Sequence, residues 1–151
     1  MTRTRLAATI ILACAVSLPV SACGESEETE FKEDYNTAVK PLSELNSDIG
    51  SSIGGESGRS NDAIAKEFEQ LADKAQQTRD NLADLEPPED AKESFDKLLA
   101  SLKQGTDDLR AVAQAAKDGD PAAAREASEA LVSSGRAIQK AETELQDAVE
   151  G

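Results

Sequence analysis

The sequence predicts an all-α protein whose main domain, residues 29–151, is an up-down-up-down antiparallel four-helix bundle. Three observations predict it. Apolar residues recur at spacings of three and four in four successive segments. The strict alternation that marks a strand runs over no useful length. Clusters of turn-forming residues fall between the segments.

The first segment carries Phe31, Tyr35, Ala38, Leu42, Leu45 and Ile49 on one stripe. Pro41 interrupts it, and a proline inside a helix removes a hydrogen bond and kinks or breaks the chain. A three-helix arrangement with a detached first segment is therefore the competing architecture. The second stripe is Ile64, Phe68, Leu71, Ala75, Thr78, Leu82 and Leu85. Residues 50–59 form the break before it, and Ser60, Asn61 or Asp62 can cap its start by accepting a backbone N–H bond.

The third stripe is Ala91, Phe95, Leu98, Leu102, Gly105, Leu109, Val112 and Ala116. Pro87 and Pro88 end the helix before it, with Pro88 near the first helical position and acids in the first turn. The fourth stripe is looser: Ala124, Ala127, Leu131, Gly135, Ile138, Ala141, Leu145 and Ala148 or Val149. Between these two, Gly119 suits a left-handed stop, Asp120 a cap, and Pro121 a first helical position. Helices of about 25–30 residues joined by such short turns make antiparallel neighbours, each about 40 Å long.

The first 22 residues read differently. Arg3 and Arg5 precede an uncharged run, Leu6 to Val20, which has the charged start and apolar body of a secretory signal. The run is short for a membrane span of about 20 residues. It ends in Val20-Ser21-Ala22-Cys23-Gly24, which resembles the lipobox of bacterial lipoproteins. The resemblance implies a diacylglyceryl group on the Cys23 thiol and cleavage by signal peptidase II between Ala22 and Cys23. Cys14, after Ile11-Leu12-Ala13, is a poorer candidate because it leaves too short an apolar body. A retained transmembrane helix and an ordinary signal with an unmodified Cys23 are the alternatives. Residues 23–28 then form a lipidated cysteine with an extended acidic tether.

In style the mature chain also resembles the small helical lipoproteins of high-GC Gram-positive bacteria, without a shared motif beyond the lipobox. The implied location is the outer face of the cytoplasmic membrane, with membrane lipid as the first partner.

Composition narrows the function. The net charge of −14 becomes −16 once Arg3 and Arg5 are removed. Such a surface opposes nucleic-acid binding, which replaces counterions with basic side chains. There is no histidine, so zinc, haem and imidazole chemistry lose their usual group. Lipidation uses up Cys23, and no phosphate loop, dinucleotide fingerprint or calcium loop is present. The acid pairs, Asp107-Asp108 among them, read as solvated faces. Lys92, Lys97, Lys103, Arg110, Lys117, Arg125, Arg136 and Lys140, scattered among acids, read as members of surface ion pairs. The expectation is a protein that is not an enzyme, with no cofactor and no metal. It acts as a helical interaction or spacer module with a protein partner in the envelope. A bundle binding a small molecule or cation is the alternative, and homo-oligomerisation stays open.

Two sets of residues are candidates for contact. If the first helix starts near the membrane, Phe31, Tyr35, Leu82, Leu85, Phe95 and Leu145 share the membrane-near layer. Gly54, Gly55, Arg59, Asp118 and Asp120 then lie on far-end loops where a partner arrives. Counting outward from the turns, Pro41, Ala72, Gly105 and Gly135 fall at one level, as a waist, a pocket or simple close packing.

Overall fold

The computed structural model describes residues 24–54 and 58–150. Every regular element among them is helical: α1 (Gly24–Ala38), α2 (Lys40–Gly54), α3 (Asn61–Ala83), α4 (Lys92–Asp118) and α5 (Pro121–Glu150), with a 3₁₀ turn at Glu89–Ala91 before α4. Cys14, Ala22, Cys23 and the whole signal segment lie outside the described residues, as does Gly55. No described helix is long and apolar enough to cross a membrane.

The first predicted helix is two helices. Val39 is the only non-helical residue between them; its N–H reaches Tyr35 O at 2.9 Å, and its carbonyl accepts from Leu42 N–H at 2.9 Å. Pro41 explains the break, because its ring nitrogen has no hydrogen to donate to the Thr37 carbonyl. In the second position of α2 the same proline is tolerated. α1 is not detached, for Phe31 and Tyr35 are buried in the common core.

Two boundaries differ from expectation. α1 runs back through residues 24–28, where an extended tether was expected. That stretch has no proline, and glutamate is a good helix former, so local propensity outweighs like-charge repulsion. α2 continues through residues 50–54, which the sequence assigned to a loop. There the Ser51 and Ser52 hydroxyls donate back to the carbonyls of Ser47 and Asp48, at 2.9 and 2.8 Å. Ser52 is buried, and its one hydroxyl hydrogen is shared between the Asp48 carbonyl and the Glu67 carboxylate of α3, which holds the end of α2 against α3.

The turns follow the local chemistry. The Ser60 side chain accepts from Ala63 N–H at 3.3 Å and caps α3. Gly119 ends α4 in the left-handed conformation, φ 63° and ψ 31°. Its N–H reaches Ala116 O at 3.1 Å, and Asp120 N–H reaches Ala115 O at 3.0 Å. This is the paired closure of a Schellman motif. Asp120 Oδ1 then accepts from Ala122 and Ala123 N–H, at 2.9 and 3.0 Å, to start α5. Pro88 is the residue before the 3₁₀ turn, with φ −53° and ψ 152°.

The buried residues form two clusters. One joins Phe31 and Tyr35 of α1 to Leu82 of α3, Phe95, Leu98 and Leu102 of α4, and Ala141, Leu145 and Val149 of α5. Phe31 stacks on Tyr35 at 5.9 Å and meets Phe95 edge-on at 5.6 Å. The other joins Leu45 of α2 to Phe68, Leu71, Ala72 and Ala75 of α3, Leu109, Val112 and Ala113 of α4, and Ala127 and Leu131 of α5.

α4 packs against both α3 and α5, while α2 packs mainly against α3. The buried arc of α4 is correspondingly wide. It takes in Asp108, 8% exposed, which the sequence assigned with Asp107 to a solvated face. Asp108 accepts from Gln104 Nε2 at 2.9 Å, so its buried oxygen is satisfied.

Candidate functional site

Because α2 does not close onto α5, that side of the structure is open. A cleft of about 580 Å³ runs along it. Leu42, Leu45 and Ile49 of α2 form one wall; Leu131, Val132 and Ile138 of α5 form the other; Leu102, Thr106 and Leu109 of α4 form the floor. From Leu131 to Gln146 on α5 the lining spans about 22 Å at 1.5 Å per residue. The volume lies in the range of small-molecule sites, about 300–1,000 Å³. The lips carry Ile53, 37% exposed, and Val132, 48% exposed.

The four residues that the sequence put at one level separate here. Gly105 and Gly135 line the cleft. Pro41 is exposed, and Ala72 is buried in the second cluster. Counting residues from the turns fixes height along the bundle but not direction around each helix. On α3 it is Ala75 that reaches the cleft.

The glycines also differ from each other. A Cβ on Gly105 would lie 3.2 Å from Ile138 Cδ1 and 3.7 Å from Ser134 Oγ. Gly105 is therefore a close-packing glycine between α4 and α5. Gly135 and Gly50 have no atom within 4 Å of such a Cβ, and both line the cleft. A glycine inside a helix costs about 1 kcal/mol relative to alanine. Nothing in the packing requires either one, and what they provide is space.

Among the described residues that line the cleft, three titrate: Tyr35, Arg136 and Glu142. Burial pushes the Glu142 carboxyl above its ordinary value of 4.5. Burial first, and then the negative charge of Glu142, push the Tyr35 phenol up to about 12. A raised folded-state value means that the fold favours neutral tyrosine. The associated stability is present below the ordinary value of 10 and is lost as pH rises towards 12. Tyr35→Phe is expected to remove that alkaline loss, of order 2 kcal/mol at most. Urea midpoints of both proteins at pH 9 and pH 12 check it; parallel losses would refute it.

The other candidate residues have structural employment. Arg59 is half-buried and paired with Glu67. Asp118 accepts from Gln114 Nε2 at 2.9 and 3.0 Å, and Asp120 caps α5. Gly54 is the last residue of α2. Of the eight basic residues expected in surface pairs, seven have a carboxylate partner within 4 Å; Arg136 is the exception among the described residues. The sequence carried no sign that Arg136 or Glu142 faces a cleft. Flanking residues on a helix become wall only where a neighbouring helix stands off.

No group of three or more acidic, cysteine or histidine side chains among the described residues is placed to hold a metal ion. No protein-family model, no curated protein and no solved structure matches the chain.

Proposed function

We propose that this chain is a lipid-anchored, non-enzymatic binding module of the bacterial cell envelope, and that its working part is the cleft between α2 and α5. The ligand is a small molecule with an apolar body. One observation carries the binding: a cleft of about 580 Å³ with an apolar floor, kept roomy by Gly50 and Gly135. Such concavities, apolar with a few placed polar groups, are the usual form of small-molecule sites.

The anchoring rests on the lipobox resemblance at Val20-Ser21-Ala22-Cys23. Two acyl chains on Cys23 supply the two signals that stable membrane attachment needs. The up-down-up-down order is supported by the core clusters. Phe31, Tyr35, Leu82, Phe95 and Leu145 share one cluster, and Leu85 packs against it. In an anchored molecule this is the layer nearest the lipid.

A helical interaction module is the second reading. It draws on the half-exposed apolar lips, Ile53 and Val132, which suit an apolar helix face laid in a groove.

The test uses the full chain in nanodiscs of neutral lipid, methyl-labelled at isoleucine and valine, with empty discs as the blank. Octanol is expected to shift the methyl signals of Val132 and Ile138 in a saturable way and to leave Ile64, which is outside the cleft, unmoved. Gly135→Leu fills open space, keeps its helix and abolishes the shifts. A shift that survives Gly135→Leu overturns the cleft, and equal shifts at all methyls mean bulk partitioning. In bacterial cells expressing the full chain, radioactive palmitate should label it and fail to label Cys23→Ala; equal labelling overturns the anchor.

A further inference from the structure

We infer that the cleft selects a cationic amphiphile, an alkyl chain ending in an ammonium group, with Glu142 as the counter-charge and the Tyr35 hydroxyl beside it. This rests on the cleft reading above and specifies its ligand.

Glu142 lies on the cleft wall, half-buried, with no ion pair or hydrogen bond to any described residue. A carboxylate taken partly out of water without a partner is costly, and proteins ordinarily pair such groups. The other half-buried carboxylate of α5, Glu144, is paired with Lys140, while the acids of α5 without a pair among the described residues, Glu126, Asp147 and Glu150, are exposed to water. Tyr35 lines the same cleft, its phenol feels the Glu142 charge, and its hydroxyl has no hydrogen-bond partner among the described residues. Phenol oxygen and carboxylate together offer acceptors to the N–H donors of an ammonium group.

The other titratable lining group points away from an anionic ligand. Arg136 is exposed, so its charge stays hydrated without help. The remaining polar lining side chains near Glu142, Asn36, Ser43, Gln139 and Gln146, are neutral. The whole-molecule field agrees. At −14 for the full sequence it draws cations towards the surface and repels anions.

The geometry separates the parts of such a ligand. Glu142 and Tyr35 sit towards one end of the cleft, and Val132 and Ile53 towards the other. An ammonium head at the first end lays its alkyl chain along Leu42, Leu45, Ile138 and Leu131. Each methylene moved out of water adds its increment, so affinity rises with chain length as well as with head charge.

The experiment titrates octylammonium, octanol and octanoate into the full chain in neutral nanodiscs, read on the same methyl groups. Octylammonium is expected to bind about tenfold or more tightly than octanol, the size of a charge-assisted hydrogen bond, and octanoate weakest. Glu142→Gln should bring octylammonium down to octanol and leave octanol unchanged. Glu129→Gln, which removes the same charge outside the cleft, should change neither. If octanol and octylammonium bind alike to the unaltered chain, the head-group assignment fails while the cleft stands. If octanoate binds tightest and loses affinity in Arg136→Gln, the cleft is an anion carrier and the inference is overturned. If Glu129→Gln weakens octylammonium as much as Glu142→Gln does, the selection is a general surface effect and not a site. If none of the three moves the lining methyls, both readings fall.

Discussion

Phe68→Ala is expected to cost about 3–5 kcal/mol, the usual range for emptying a buried aromatic site. Phe68 is 0% exposed and belongs to the cluster that ties α2, α3, α4 and α5 together. Its neighbours in that cluster are mostly leucine, valine and alanine, held on rigid helices that cannot collapse fully into the gap. The cost therefore combines lost apolar burial with a retained cavity. Domains of this size are stable by only about 5–15 kcal/mol, so one substitution consumes a large share. Urea unfolding followed by far-ultraviolet circular dichroism gives the midpoint shift. A loss below about 1 kcal/mol would contradict the packing described here.

Gly119→Val is expected to cost about 2 kcal/mol or more. The left-handed backbone at φ 63° disfavours any side chain by about 1–2 kcal/mol, and β-branching adds to it. There is crowding too, since a Cβ at this position would stand 3.3 Å from Asn61 Nδ2 at the start of α3. Relief by backbone rotation would break the bonds from Gly119 and Asp120 N–H to Ala116 and Ala115. The same urea measurement reads it, and an unchanged midpoint would mean that the turn can re-form without its left-handed residue. The sign is opposite to that expected in the interior of α5. There a side chain on Gly135 meets nothing and gains helix propensity of up to about 1 kcal/mol.

The heptad-like stripes translated well into burial, because each helix meets its neighbours along one face. Phe31, Phe68, Leu98, Leu109 and Leu145 were all placed on stripes and all are in the core. The Gly119-Asp120-Pro121 turn was equally legible, since each residue acts through its own backbone or short side chain. Legibility ended where a property depended on two helices at once. Asp108 is buried because α4 is flanked on both sides, which no period within α4 encodes. Glu142 and Arg136 became cleft residues because α2 stands off from α5. Gly105 and Gly135 share a stripe spacing, yet one is packed and the other open, according to whether a side chain from the neighbouring helix arrives. The loop assigned to residues 50–59 was too long because the serine hydroxyls, read as turn formers, bond back along α2 instead.

The break at Val39 has a mechanical consequence. Pro41 has already removed the hydrogen bond that would resist bending between α1 and α2. α1 is clamped by the Phe31, Tyr35 and Phe95 rings, so it acts as a fixed foot. α2 above it is one jaw of the cleft, and α5 is the other, an unbroken helix of 30 residues. What holds the α2 jaw in place is therefore not the helical ladder but its contact with α3: Leu45 in the shared cluster, Ser52 against Glu67, and the Lys74–Asp48 pair. The width of the cleft is set by how α2 sits on α3, and its length by the unbroken α5. Loosening the contacts between α2 and α3 would change the first and leave the second as it is.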